Sequence, residues 1–151
     1  MKFRNIFRFV LLMAFVIVTL VSCSSEDSKN TVKEITNTVK EGTWKIGYFY
    51  DSGADKTQNY TGYIFTFGDN TTLTASKETN TYTGQWSVGN STSDDDLYST
   101  IFKISIGPMN IFEGLNGNWK VIENTGTSLK LKDDSHGDTA IDYLNFEKIV
   151  Q

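Results

Sequence analysis

The chain of 151 residues reads as an all-β protein, an eight-stranded antiparallel up-and-down barrel with one short N-terminal helix. Three observations predict this. Apolar residues recur at every second position in eight separate short runs. Glycine, asparagine, aspartate and serine punctuate the gaps between them. No long helical pattern lies between the runs to act as a crossover, so neighbouring strands are expected to pair antiparallel. A sheet of that kind loses its exposed edges by closing on itself. Residues 23–151 are enough for one domain and too few for two.

The first segment to justify precedes the fold. Met1-Lys2-Phe3-Arg4-Asn5-Ile6-Phe7-Arg8 is basic and lacks acidic residues, and Phe9 to Val21 is apolar apart from Thr19. A basic stretch before an apolar one is the layout of a secretory signal. Thirteen residues are too few to span a bilayer, which takes about 20. Leu20-Val21-Ser22-Cys23 then resembles the lipobox of bacterial lipoproteins, with an aliphatic residue at −3, a small one at −1 and a thiol at +1. The resemblance implies that residues 1–22 are removed and that Cys23 carries a diacylglyceryl group. Cys23 is the only cysteine, so it has no internal disulfide partner in an exported, oxidising setting. The expected membrane partner is therefore reached through lipid on Cys23. Loss of Lys2, Arg4 and Arg8 leaves eleven basic residues against eighteen acidic, a net charge near −7. Such a balance disfavours nucleic acid and anionic lipid surfaces as partners.

Residues 23–30 are polar and small, and they read as a lipidated flexible tether of about 25 Å at full extension. The domain proper is expected over 31–151. Thr31-Val32-Lys33-Glu34 has the form of a capping box, and Val32, Ile35 and Val39 follow at helical spacing before Gly42. From Thr43 the period changes to two. Trp44, Ile46, Tyr48 and Tyr50 alternate with Lys45, Gly47 and Phe49. Tyr63, Phe65 and Phe67 form the second run, closed by Gly68-Asp69-Asn70. Leu73 with Ala75 mark the third, and Tyr82, Gly84, Trp86 and Val88 the fourth. Phe102, Ile104 and Ile106 form the fifth. Met109 to Gly117 is a broken stretch with room for a helical turn. Trp119 with Val121, Leu129 with Leu131, and Leu144 with Phe146 complete the set. Gly47, Gly62 and Gly84 fall within strand runs, where glycine permits sharp bending.

Gly42-Thr43-Trp44, after a short helix and at the start of the first strand, resembles the Gly-x-Trp motif of lipocalins. In that family the tryptophan plugs one end of the barrel and stacks beneath a basic residue near the last strand. Lys148 would take that part here, where lipocalins use arginine. The order of further pieces is similar to that in small lipocalin-like lipoproteins of the Bacteroidetes. These pieces are Gly62-Tyr63-Ile64-Phe65-Thr66-Phe67, Gly84-Gln85-Trp86-Ser87-Val88, the Asp94-Asp95-Asp96 loop, Trp119-x-Val121 and Tyr143-Leu144-Asn145-Phe146-Glu147-Lys148. The resemblance spans Gly42 to Lys148. It implies a lipocalin-like barrel and a cell-envelope location, with attachment to the outer membrane.

The residues do not assemble a reaction. His136 is the only histidine, set in the turn Asp133-Asp134-Ser135-His136-Gly137-Asp138. Adjacent residues of one tight turn rarely meet the geometry of a catalytic triad. Zinc requires several thiol or imidazole ligands, and the aspartates at 94–96 and 133–138 lack the spacing of a calcium loop. No enzyme activity, cofactor or metal is expected. What remains is aromatic: Trp44, Tyr48, Phe65, Phe67, Tyr82, Trp86, Phe102, Trp119 and Phe146 all fall on one predicted face. Either they line a cavity for a small hydrophobic ligand, or they fill the barrel themselves, since eight strands enclose only enough space for their own side chains or one small molecule. The first reading makes the chain a membrane-anchored protein binding such a ligand in or at the mouth of the barrel. The alternative is a non-enzymatic envelope or surface interaction protein with a filled core, which would work through exterior positions such as Phe49 and Tyr50.

Overall fold

The computed structural model describes residues 24–92, 99–135 and 141–150. It opens with a helix, α1 (Ser24–Lys40), and continues with β1 (Trp44–Asp51) and the two-residue β2 (Ala54–Asp55). A 3₁₀ turn (Thr57–Tyr60), β3 (Ile64–Phe67), β4 (Thr72–Lys77), β5 (Asn80–Asn90) and β6 (Thr100–Ile106) follow. A short helix α2 (Met109–Phe112) and a 3₁₀ turn (Glu113–Leu115) lead to β7 (Gly117–Asn124), β8 (Ser128–Asp133) and β9 (Asp142–Lys148).

All strand pairs are antiparallel, and β1, β3, β4, β5, β6, β7, β8 and β9 are neighbours in that order. Pairing of β1 with β9, from Trp44 opposite Lys148 to Tyr50 opposite Tyr143, closes the ring. The result is the expected eight-stranded up-and-down barrel. The additional strand β2 is a short hairpin arm on the end of β1, with Tyr50 opposite Asp55.

Three local expectations change. First, α1 begins at Ser24, so it takes in the stretch read as a flexible tether, and Thr31 lies inside the helix rather than at its cap. A helix already nucleated by a packed segment extends at little cost per added residue. Ile35 and Val39 are the buried stripe that packs it, chiefly against β5 with β3 and β6. Each contributes about 1.5–3 kcal/mol relative to exposure. Second, β1 does not alternate throughout. Ile46 faces Phe146 while Tyr48 faces Asn145, so Gly47 is the extra residue of a bulge. The phase flips there: Phe49 is 1% exposed and Tyr48 37% exposed. Third, Gly62 precedes β3 in a turn with φ +83, a conformation that glycine adopts without a Cβ penalty. Gly84 does sit within a strand, where a Cβ would stand 2.2 Å from the Ser105 carbonyl oxygen. Glycine at this point lets β5 and β6 approach closely.

Candidate functional site

The nine aromatic residues assigned to the barrel interior separate eight to one. Trp44, Phe65, Phe67, Trp86, Phe102, Trp119 and Phe146 are buried in one cluster, and Tyr82 packs against it while half-buried. Tyr48 lies outside, stacked on Tyr50 at 6.4 Å between ring centroids. Phe49, expected on the exterior, takes the interior place that Tyr48 was expected to fill. The cause is the Gly47 bulge, because one inserted residue turns every later side chain of the strand over.

These rings touch one another. Phe67 meets Trp86, Phe102 and Phe146 edge-on at 5.4–5.5 Å, Phe146 meets Phe65 at 5.5 Å, and Trp86 stacks on Phe102 at 5.7 Å. The chain of contacts runs on from Phe65 through Tyr63 to Phe112, then through Tyr60 to Phe49 and Trp119. Centroid separations of this size are direct ring contacts. The centre is thus occupied by the protein's own side chains, with Leu73, Leu129, Leu131 and Leu144 buried around them. Among the described residues no polar or charged side chain is buried.

Each mouth of the barrel is closed in its own way. At one, Trp44 plugs the opening beneath α1, and its indole N–H donates to the Val39 carbonyl at 2.8 Å. That oxygen belongs to the last turn of the helix, where carbonyls lack partners within the helix. Lys148 Nζ lies 5.2 Å from the centroid of the Trp44 ring and 3.8 Å from a Glu41 carboxylate oxygen. The stacking implied for Trp44 and Lys148 is therefore present as a cation–π contact.

The second mouth is closed by the segment between β6 and β7, a part of the site that alternation did not reveal. Phe112 and Leu115 are buried there, and Phe112 is ringed by Tyr60, Tyr63 and Tyr82 at 5.2–6.3 Å. Asn116 fixes one end of the segment. Its Oδ1 accepts from the Ile106 amide at 2.6 Å and its Nδ2 donates to the Ile106 carbonyl at 2.9 Å. Trp119 Nε1 donates to the Leu115 carbonyl at 3.0 Å, and the Tyr60 hydroxyl donates to the Ile111 carbonyl at 3.2 Å. Burial, with the Asp51 charge and Tyr63 nearby, pushes the Tyr60 phenol up to about 12. The pair Ile111-Phe112 with Leu115, at helical spacing, was the signal that could have placed this plug.

Open space lies outside the barrel. A groove of about 460 Å³ runs beside the second mouth between α2 and the Thr57–Tyr60 turn, lined by Phe49, Asp51, Lys56, Tyr60, Ile111 and Glu113 among others. A larger one of about 560 Å³ crosses the outer faces of β5, β6 and β7 towards Asp134. Asp134 pairs there with Lys120 at 2.6 Å and Lys132 at 2.9 Å. Hydrogen bonds from Lys120 and then Lys132 hold its carboxyl down at about 2. Among the described residues no group of three metal-binding side chains occurs, and no helix is long and apolar enough to cross a membrane. Residues 1–22, Cys23, Asp94, Asp95, Asp96, His136 and Asp138 lie outside the described residues.

No protein-family model matches the chain, and no curated protein does. Among solved structures it is similar to the crystal structure of a DUF4847 family protein from Bacteroides vulgatus, at TM-score 0.50 and 18% identity, over 78% of this chain and 99% of that one. At that identity, what the two have in common is the barrel fold.

Proposed function

We propose that the chain is a lipoprotein of the bacterial cell envelope, held by lipid on Cys23, whose barrel acts through its outer surface as a non-enzymatic interaction module. The membrane is most simply the outer membrane, as the likeness to Bacteroidetes lipoproteins implies. The observation that carries the second half of this reading is the packed interior. Rings in mutual contact from Trp86 to Phe112, with both mouths plugged, leave no room for a guest in the centre. The first half rests on the basic, apolar and Leu20-Val21-Ser22-Cys23 succession at the start of the chain.

Cys23→Ala tests the anchor. The variant should move from the membrane pellet to the soluble fraction, because a chain without acyl groups loses its hold on the bilayer. Unchanged sedimentation would end the lipid assignment. A hydrophobic fluorescent dye and native mass spectrometry of the purified protein test the filled interior, for which neither should report a bound molecule. The second reading, a small hydrophobic ligand at a mouth, is favoured by the groove beside Phe49, Tyr60 and Ile111. Dye binding that perturbs these three residues in an NMR spectrum, and leaves Phe67 and Phe146 unmoved, would select it.

A further inference from the structure

We infer that Met109 is a peroxide-oxidation site built into the second mouth of the barrel, and that Asn116 sets which of the two sulfoxide epimers forms there. The inference goes beyond the interaction module proposed above and depends on neither the anchor nor the filled interior.

Met109 is the first residue of α2, and it is 56% exposed. Among residues 23–151 it is the only methionine. Oxidants convert methionine to its sulfoxide most readily where the sulfur is within reach of solvent. Its neighbours in the plug, Phe112 and Leu115, are buried. The thioether is therefore the oxidisable group that this segment presents to the outside.

The sulfur is nevertheless held on one side. Asn116 Nδ2 donates to Met109 Sδ at 3.3 Å. The same nitrogen donates to the Ile106 carbonyl at 2.9 Å, while Asn116 Oδ1 accepts from the Ile106 amide at 2.6 Å. A carboxamide nitrogen carries two hydrogens, so both are in use. Rotation of the amide away from the sulfur would break its two bonds to the end of β6. Asn116 is thus a fixed donor facing a weak, polarisable acceptor.

A thioether has two lone pairs, one on each face of the plane through Cγ, Sδ and Cε. The Asn116 N–H engages one pair and shields that face, and the other pair is open to attack. With hydrogen peroxide, the open pair forms the S–O bond as the O–O bond breaks. Sulfur loses two electrons, the peroxide gains them, and after proton transfer it leaves as water. The new sulfur centre is chiral, so attack from the open face gives one epimer in excess. Sulfoxide sulfur carries partial positive charge, which no longer suits an N–H donor. That one hydrogen bond is lost, while the two bonds from Asn116 to Ile106 stay. A polar S–O group then stands on the rim of the groove that passes Ile111 and Tyr60. Phe112 and Leu115 keep the plug in place. Oxidation changes the surface of the mouth and spares the core, and a sulfoxide reductase can reverse it.

The test treats the full chain with hydrogen peroxide at neutral pH, once folded and once in urea. Trypsin releases residues 104–120, in which fragmentation locates one added oxygen at Met109. Reductases specific for each epimer then measure the epimer ratio in that peptide. Folded protein should show a several-fold excess of one epimer, and protein oxidised in urea should show near parity. Asn116→Asp keeps an acceptor for the Ile106 amide but offers no N–H to the sulfur, and should also move to parity. Equal epimers from folded wild type, or an excess that persists in folded Asn116→Asp, would overturn the part given to Asn116. Should the variant fail to fold, the comparison of folded with urea-treated wild type still decides the question. Oxidation at Met109 many-fold slower in the folded protein than in urea would overturn the site itself.

Discussion

Phe49 and Tyr48 form a pair of substitutions for which simple alternation and the folded structure predict opposite orders of damage. Phe49 is 1% exposed, meets Tyr60 edge-on at 5.4 Å and faces Trp119 at 6.4 Å. Its truncation in Phe49→Ala removes a buried ring and leaves a cavity that this packed centre cannot collapse. Substitutions of that kind cost about 3–5 kcal/mol. Tyr48 is 37% exposed, stacks on Tyr50 and stands opposite Asn145. Tyr48→Ala loses only a half-exposed contact and a cross-strand pair, about 1 kcal/mol or less. A domain of this size has about 5–15 kcal/mol of stability, so both variants should fold. Urea unfolding followed by fluorescence of the three buried tryptophans measures the difference, expected at about 2–4 kcal/mol with Phe49→Ala the weaker protein. Equal losses, or a larger loss for Tyr48→Ala, would mean that β1 has no bulge at Gly47 and that the interior assignment of its second half is inverted.

Trp44→Phe keeps a ring in the first mouth but leaves the Val39 carbonyl without its indole donor, at a cost of about 1–3 kcal/mol. Hydrogen exchange should quicken through the second half of α1 before it does in the strands. Gly84→Ala would push a Cβ to 2.2 Å from the Ser105 carbonyl oxygen, whereas nothing lies within 4 Å of a Cβ at Gly89. The first substitution should lower the melting temperature by about 10 °C or more through displaced backbone, the second by a few degrees at most. The Asp134 carboxyl, held at about 2 against an ordinary 3.8, makes folding tighter wherever it is ionised. Its contribution is present above pH 4 and disappears as pH falls towards 2. Because the Lys120 and Lys132 partners are partly solvated, it amounts to about 1 kcal/mol. Asp134→Asn should therefore match the wild type at pH 2 and fall below it by that amount at pH 7, measured by urea unfolding at each pH.

Much of this was legible in the residues themselves. Seven of the buried rings, the eight strands and the antiparallel meander all follow from alternation, because a strand with one face on a core must repeat every second residue. The place of Trp44 beneath Lys148 was carried by a motif of three residues and a basic side chain at the far end of the chain. His136 and the aspartate loops carried too little spacing information to mark a site.

Three features required tertiary contacts. The Gly47 bulge is invisible in a pattern that stays apolar on both faces: Tyr48, Phe49 and Tyr50 are all acceptable inside, and only the register against Leu144 to Phe146 of β9 chooses Phe49. The plug at the second mouth depends on Phe112 finding Tyr60, Tyr63 and Tyr82, residues 30 to 52 positions away; the helical spacing of Ile111, Phe112 and Leu115 marks a buried turn there, but not which distant rings it meets. Whether nine aromatic residues line a cavity or fill it is a matter of volume. Composition names the rings, but their separations across the barrel decide how much space is left between them.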